Sequence, residues 1–319
     1  MSLHRLTQIV MGVPNVSETV DYYVDFGLSP HPCGEENGSA ERDRTRSLAT
    51  VDGGEQLKIS RSDRRRLLQL GVGVDDPDDL DRAAAGLQAI GITVERSATR
   101  VRAFEPGTEV WVVVEIADRI RQDRTPSPAY NTPGVDARTN QRAAGILRET
   151  PVRPRRLGHV VLGSTDQDRS QRFFAEGLGF KTSDTVPGLA SFLRCSSDHH
   201  NVLVQQSPLA YLHHTSWQVD DLDDIGRGAT AMLEKDPGRH VWGLGRHHIG
   251  SNFFWYLKDP AGNFSEYYSD MDCIVDDAVW APQVWGEARS LYSWGPPPPP
   301  SFLHPEDLAA HMTGTHCTT

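Results

Sequence analysis

The sequence has neither a long apolar run nor an excess of positive charge. No apolar segment is long enough to span a bilayer, and the opening MSLHRLTQIV lacks the basic and then apolar regions of a signal peptide. The formal net charge of −11 disfavours general nucleic-acid binding, because neutralising phosphates requires a basic surface. With 38% hydrophobic and 24% charged residues, the composition predicts a globular protein with neither a membrane nor a nucleic-acid partner.

Cysteine is scarce and scattered. Cys33, Cys195, Cys273 and Cys317 are the four in a chain of 319 residues, and no two form a CxxC pair. This pattern argues against a disulfide framework and favours a reducing cytoplasm in which the thiols stay free. None of the four has a candidate base partner in the sequence, so a thiol nucleophile is not predicted.

What the chain does contain is an internal repeat. LTQIVMGVPN at 6–15 parallels LGHVVLGSTD at 157–166, and VDDPDDLDRAAAGL at 74–87 parallels VDDLDDIGRGATAML at 219–233. Each segment reads as a strand, a polar turn and a helix start, so each half predicts two βαβββ units in an α+β fold with open mixed-sheet barrels. The predicted division is an N-terminal domain without a metal site (1–118), a linker (119–154), a metal-binding domain (155–269) and a Trp/Pro-rich tail (270–319).

The tail combines tryptophans with a proline run. Trp280, Trp285 and Trp294 precede Pro296–Pro300. A proline run forms neither helix nor central strand, so an extended polyproline II conformation is predicted. The run could dock a partner domain, but the tryptophans favour a tail that packs on its own protein.

Two histidines and one glutamate are candidate metal ligands. His159, His214 and Glu266 lie in three separate strand-like segments, LGHVVL, LHHTSWQV and NFSEYY. Two imidazoles and a carboxylate can occupy one face of a divalent iron or manganese ion and leave the opposite face open. His213 precedes His214 directly, and strand alternation predicts that it points to the other face of the sheet.

The repeat provides an internal comparison for these ligands. Aligning the halves places Gln8 opposite His159, Gln69 opposite His214, and Glu115 opposite Glu266. Amides are weak ligands for transition metals. The comparison therefore predicts one duplicated scaffold with a single working metal site, in the second half.

The second half resembles the type I extradiol ring-cleavage dioxygenases of the vicinal-oxygen-chelate superfamily. The similarity is strongest from Gly245 to Glu266, in the stretch GRHHIGSNFFWYLKDPAGNFSE. Trp255 departs from the family pattern, which has an aliphatic residue or Phe before the tyrosine. The resemblance implies a two-domain vicinal-oxygen-chelate fold, a catechol and dioxygen as substrates, Fe(II) or alternatively Mn(II) as cofactor, and a homo-oligomer.

The resemblance also implies roles for individual residues. His200 corresponds to the acid–base histidine, with His199 as the alternative, and its pKa is expected to lie near the ordinary value, where it can exchange a proton near neutral pH. Val161 is apolar where some relatives have a polar residue. The implied assignments are metal ligands His159, His214 and Glu266; catalytic residues His200, Tyr256 and His247; and substrate-binding residues Phe192, His199 and His248.

The sequence is also compatible with two other classes of function. A metal-dependent isomerase or lyase of the same superfamily would use the same fold, although such sites commonly have more carboxylate or amide ligands. A non-enzymatic small-molecule-binding protein would need a pocket but no metal. The His/His/Glu set disfavours both alternatives.

Overall fold

Four copies of a βαβββ unit make up most of the chain. The computed structural model describes residues 2–31, 45–286 and 291–307. The first half contains β1 (Arg5–Val13), α1 (Val16–Asp25), β2 (Ser29–His31), β3 (Thr45–Thr50), β4 (Gly54–Arg61), β5 (Arg66–Val74), α2 (Pro77–Ala89), β6 (Val94–Arg96), β7 (Arg100–Glu105) and β8 (Val110–Ile116). A short helix, α3 (Ala144–Leu147), follows in the connecting segment.

The second half repeats the same order of elements. It contains β9 (Arg156–Ser164), α4 (Gln167–Arg172) with a π-helical turn (Phe173–Gly177), β10 (Lys181–Val186), β11 (Ala190–Arg194), β12 (Val202–Gln206), β13 (Tyr211–Gln218), α5 (Leu222–Lys235), β14 (His240–Arg246), β15 (Phe253–Lys258) and β16 (Phe264–Ser269). β17 (Gln283–Val284) and α6 (Pro300–Leu303) lie in the tail.

Each half forms one open mixed sheet, which confirms the predicted α+β class. The orders are β2-β3-β4-β1-β5-β8-β7-β6 and β14-β15-β16-β13-β9-β12-β11-β10-β17. The first strands of the two units in each half, β1 with β5 and β9 with β13, pair antiparallel at the centre. Central strands give the most rigid positions for side chains of a site.

The repeated acidic turn is a helix start. The Asp76 side chain accepts a hydrogen bond from the backbone N–H of Asp79 at 3.0 Å, and Asp221 accepts from Asp224 at 3.1 Å. Each capping aspartate satisfies an amide that the first helical turn leaves without a partner. The VDDxDD pattern therefore fixes where α2 and α5 begin.

The first half packs its helix α1 behind the second sheet. Tyr22 hydrogen-bonds Ser265 at 2.6 Å, and the Phe26 and Tyr267 rings stack with centroids 3.8 Å apart. Tyr23 lies 3.4 Å from the hydroxyl of Thr215. The two halves consequently share one buried apolar core.

The tail packs on the second half. β17 pairs with β10, and the Trp242 indole donates to the Pro296 carbonyl at 2.7 Å. Pro299 has φ −68° and ψ 152°, which are polyproline II values. The residues beyond 307, including Cys317, lie outside the described part, as does Cys33. None of the described helices has the length and apolar character needed to cross a membrane.

One buried arginine ties the tail to both halves. Arg65, only 1% exposed, donates to both carboxylate oxygens of Asp307, at 2.6 and 2.8 Å, and to the carbonyl of Leu212 at 2.6 Å. Its guanidinium thus joins the first half, strand β13 and the end of the described tail.

We expect Arg65→Met to lower the free energy of unfolding by about 3 kcal/mol, because it removes the two hydrogen bonds from Arg65 to the Asp307 carboxylate and the one to the Leu212 carbonyl. Urea denaturation measures the change. Arg64→Met is the matched control: Arg64 pairs with Glu109 at a half-exposed position, where an ion pair contributes less than about 1 kcal/mol. Equal losses in the two variants would contradict the anchoring role of Arg65.

Candidate metal centre and active site

Strand register brings the three candidate ligands to one face of the second sheet. Ser216 of β13 pairs with His159 of β9 on one side and with Glu266 of β16 on the other. His214 lies two residues before Ser216, so its side chain lies on the same face of β13 as that of Ser216. Three central strands therefore each supply one side chain to the same point.

The ligand atoms of these three side chains converge. Nε2 of His159 lies 3.1 Å from Oε2 of Glu266 and 3.4 Å from Nε2 of His214. Nε2 of His214 lies 3.7 Å from the same carboxylate oxygen. Three ligands on one face of an octahedral ion, with bonds of about 2.1 Å, lie about 3 Å apart. The separations match this spacing to within several tenths of an ångström.

The electrostatics of the three groups also suit a cation. Burial acts to raise the pKa of Glu266, but the close approach of His159 and His247 outweighs it and holds the pKa below its ordinary value. Burial lowers the pKa of His214, so its ring is neutral. Oε2 of Glu266 has no hydrogen-bond partner within the described residues, whereas Oε1 accepts from Asn252 at 3.1 Å. A divalent metal ion bound at this buried point would satisfy the lone pairs of the three side chains.

The prediction that His213 points away from His214 is wrong. The register of β13 against β9 shifts between Leu212 and His214, and this bulge breaks the alternation of side chains. Nδ1 of His213 lies 2.8 Å from Nδ1 of His214. Nε2 of His213 lies 2.7 Å from the carbonyl of Phe302 in α6, so His213 links a candidate ligand to the tail.

His200 and Phe192 form one wall beside the candidate ligands. The His200 ring lies 4.3 Å from that of His159 and 5.2 Å from that of Phe192, centroid to centroid. Burial, followed by the neighbouring histidines, lowers the pKa of His200 well below its ordinary value. The expectation of a near-ordinary pKa was therefore wrong, since the sequence does not show that the ring is buried. His200 is a neutral base at neutral pH.

Tyr256 and His247 form the opposite wall. Nδ1 of His247 is held by the Leu291 carbonyl, which only accepts, so Nε2 accepts the hydrogen bond of the Tyr256 hydroxyl at 2.8 Å. Burial and then the charge of Glu266 raise the pKa of Tyr256 well above its ordinary value. Tyr256 is therefore a neutral phenol whose oxygen lone pairs are available to a ligand.

Two residues expected to bind substrate lie outside the cavity. His199 is fully buried behind His200, with its Nε2 atom 3.2 Å from Asp184. His248 is exposed and packs against Trp285. Substrate contact by His199 or His248 thus disagrees with their positions, because both pairs lie in loops where only His200 and His247 line the cavity.

The walls enclose a cavity of about 120 Å³. Sequence reasoning missed several of its residues, above all those of the tail, which carry no motif and reach the site only through tertiary packing. The missed lining residues include Leu203, Gln205, His213, Ile249, Leu291, Phe302 and Leu303; Val161, His159, His214, His200, His247, Tyr256 and Phe192 complete the lining.

The first half lacks the corresponding metal ligands. Gln69 pairs with Trp111 as His214 pairs with Phe264, so the counterpart of Glu266 is Val113. The sequence alignment with Glu115 was therefore wrong by two residues. A shift of two keeps a residue on the same face of a strand, so the hydrophobic pattern could not reveal it.

Comparisons with known proteins place the chain among ring-cleaving enzymes. Residues 156–267 match the Glyoxalase/Bleomycin resistance protein/Dioxygenase superfamily. The chain is 35% identical to metapyrocatechase 2 of Cupriavidus necator over 95% of this chain and 92% of that protein. It is 25% identical to the manganese-dependent 2,3-dihydroxybiphenyl 1,2-dioxygenase of Geobacillus genomosp. 3, over 75% and 79% of the two chains.

A solved structure shows the same architecture. The Mn(II)-bound glyoxalase from Novosphingobium aromaticivorans superposes with a TM-score of 0.74 at 25% identity, covering 96% of this chain and 95% of that chain.

We expect Glu266→Gln to weaken Mn(II) binding by about 100-fold or more, because the amide removes the negative charge of the three-ligand set. Mn(II) titration followed by electron paramagnetic resonance measures free against bound ion. Glu115→Gln is the matched control, since Glu115 lies in the half without the ligand set. Full Mn(II) affinity in Glu266→Gln would exclude this site.

Proposed function

The chain belongs to the extradiol ring-cleaving dioxygenases of the glyoxalase/bleomycin resistance protein/dioxygenase superfamily, and we propose that it cleaves a catechol beside the diol at His159, His214 and Glu266. The observation that carries the proposal is the convergence of three buried ligand atoms within 3.1–3.7 Å of one another, on the floor of a cavity. The family makes the protein an oxidoreductase that uses dioxygen.

We propose Fe(II) as the cofactor, with Mn(II) as the alternative. His159, His214 and Glu266 would hold it. When bound, the metal supplies Lewis acidity to the catechol oxygens and redox contact between catechol and dioxygen. The ligand set suits both metals, and one of the relatives is named as manganese-dependent.

His200 is the proposed proton carrier. Its lowered pKa keeps the ring neutral before substrate arrives, so Nε2 can accept a proton from a catechol hydroxyl. The same nitrogen can return that proton to an oxygen of the reacting substrate later in the cycle. The His200 ring is 4% exposed, which limits exchange of this proton with bulk water.

Tyr256 and His247 are the proposed orienting residues. The Tyr256 hydroxyl donates to His247, so its lone pairs can accept a hydrogen bond from a substrate hydroxyl. His247 in turn is fixed by the backbone carbonyl of Leu291. The order Leu291, His247, Tyr256 therefore fixes the direction in which the phenol meets the substrate.

The apolar wall is the proposed substrate pocket. Val161, Phe192, Ile249, Phe302 and Leu303 surround the space in front of the ligands. A cavity of about 150 Å³ in another protein holds benzene, so about 120 Å³ here fits one aromatic ring more readily than two. We therefore propose a single-ring catechol.

The same fold also occurs in a structure named as a Mn(II)-bound glyoxalase, so a metal-dependent isomerase is the second candidate. An isomerase consumes no dioxygen, and a simple binding protein requires no metal. Measuring dioxygen uptake by the metal-loaded protein therefore distinguishes ring cleavage from both alternatives.

A cytoplasmic location and a homo-oligomer belong to the same proposal. Cys195 is a buried free thiol and Cys273 an exposed one, which supports a reducing compartment.

Anaerobic reconstitution with Fe(II), followed by dioxygen uptake and visible absorbance, tests the activity. We expect one dioxygen consumed per catechol and a yellow product, with catechol turned over faster than 2,3-dihydroxybiphenyl because of the small cavity. Dioxygen uptake by the Mn(II)-loaded protein but not by the Fe(II)-loaded protein would identify manganese as the cofactor. Absence of uptake with catechol, 2,3-dihydroxybiphenyl and 3,4-dihydroxyphenylacetate, despite bound metal, would favour the isomerase.

We expect His200→Phe to retain metal and to lower kcat by about 100-fold or more, because general acid–base transfer contributes roughly that much. Metal analysis and dioxygen uptake measure the two effects. His248→Phe is the control, since His248 lies outside the cavity, and it should keep both metal and turnover. Unchanged turnover in His200→Phe would remove His200 from the proposed role.

A further inference from the structure

Two pairs of adjacent histidines are built in the same way. In His199–His200 the two Nδ1 atoms lie 3.1 Å apart, and in His213–His214 they lie 2.8 Å apart. The second histidine of each pair serves the site, and the first directs its Nε2 atom toward an acceptor. The acceptor is the Asp184 carboxylate for His199 and the Phe302 carbonyl for His213.

Asp184 is a firmly held acceptor. Its Oδ1 accepts from the backbone N–H of Gln283 at 2.7 Å, and its Oδ2 accepts from the indole of Trp285 at 3.0 Å. Burial acts to raise the pKa of Asp184, but hydrogen bonds from His199, Gln283 and Trp285 outweigh it and leave the pKa below its ordinary value. Asp184 is therefore an ionised carboxylate, and it can only accept hydrogen bonds.

The arrangement of donors leaves one tautomer for His200. Because Asp184 only accepts, Nε2 of His199 carries the proton that faces it, and Nδ1 of His199 is then the atom that accepts from His200. The facing Nδ1 of His200 must then carry a proton. Nε2 of His200 is left with its lone pair, on a ring that lines the cavity.

We propose that Asp184 and His199 are positioning residues that hold His200 in the tautomer whose Nε2 lone pair receives the proton of the substrate. The role of this lone pair rests on the proposed function. The tautomer itself follows from hydrogen bonds of the fold. His199 touches no substrate in this arrangement, because it is fully buried behind His200.

Comparison with the His213–His214 pair explains why His199 of the other pair contacts a carboxylate. His214, the candidate metal ligand, also needs its proton on Nδ1, and His213 accepts it while donating to the neutral carbonyl of Phe302. A metal bound at Nε2 of His214 would itself enforce that tautomer. His200 has no metal to do so, and a charge-assisted hydrogen bond from His199 to Asp184 is about twice as strong as a neutral one.

Leucine and asparagine provide a matched pair of substitutions at position 199. The two side chains have nearly the same shape, but the Asn oxygen can replace Nδ1 of His199 as the acceptor for His200. We expect His199→Leu to lower kcat by about tenfold or more, with unchanged KM and metal content. His199→Asn is expected to recover most of this loss. Equal kcat values for the two variants, whether low or normal, would overturn the proposal.

The tautomer can be observed without turnover. In the full-length chain labelled with ¹⁵N-histidine and loaded with diamagnetic Zn(II), NMR should show His200 protonated at Nδ1 and unprotonated at Nε2. The His200→Phe variant identifies the signal, and His199→Leu should lose the single tautomer. A proton on Nε2 of His200 in the wild type would overturn the proposal. The Nδ1-protonated form without any dioxygen uptake would instead refute the proposed function and leave the positioning role intact.

Discussion

The structure depends on bringing two imidazoles and a carboxylate together at one buried point. Two imidazole lone pairs and a carboxylate oxygen meet within 3.1–3.7 Å, and each belongs to a different central strand. Without a cation these groups repel one another and lack the hydrogen bonds they had in water, which costs free energy. The rest of the fold must offset that cost. The packing behind β9, β13 and β16 provides the offsetting stabilisation.

The first half supplies much of this packing. Tyr22 bonds Ser265, the neighbour of Glu266, and Tyr23 meets Thr215, the neighbour of His214. Gln56 accepts the backbone N–H of Leu157 at 2.8 Å, at the start of the strand that carries His159. Each ligand strand is thus held from behind by a residue of the half that has no ligand set. The half without the candidate ligand set thus supports the strands of the half that has it.

The sequence predicted the helices and strands more accurately than it predicted which residues face one another across the sheets. The repeated strands and acidic turns predicted four βαβββ units correctly, because periodicity and helix capping are local properties. Glu115 was aligned with Glu266 wrongly because a two-residue shift keeps a side chain on the same face of a strand. The direction of the His213 side chain was predicted wrongly because an alternating sequence pattern does not reveal a β-bulge. Burial of His200, which lowers its pKa, arises from residues distant in sequence and could not be predicted locally.

The tail completes the site in a way that no motif predicts. Phe302 provides both a cavity wall and the carbonyl that holds His213, Leu291 holds His247, and Trp285 holds Asp184. These contacts join residues separated by up to about a hundred positions in the chain, so no local sequence pattern reveals them. His199, His213 and His247 each have a ring nitrogen held by an acceptor. The orientation of the proposed proton-carrying and metal-facing nitrogens is therefore a product of the complete fold, and a chain lacking its tail would retain the candidate ligands but lose the acceptors of His213 and His247.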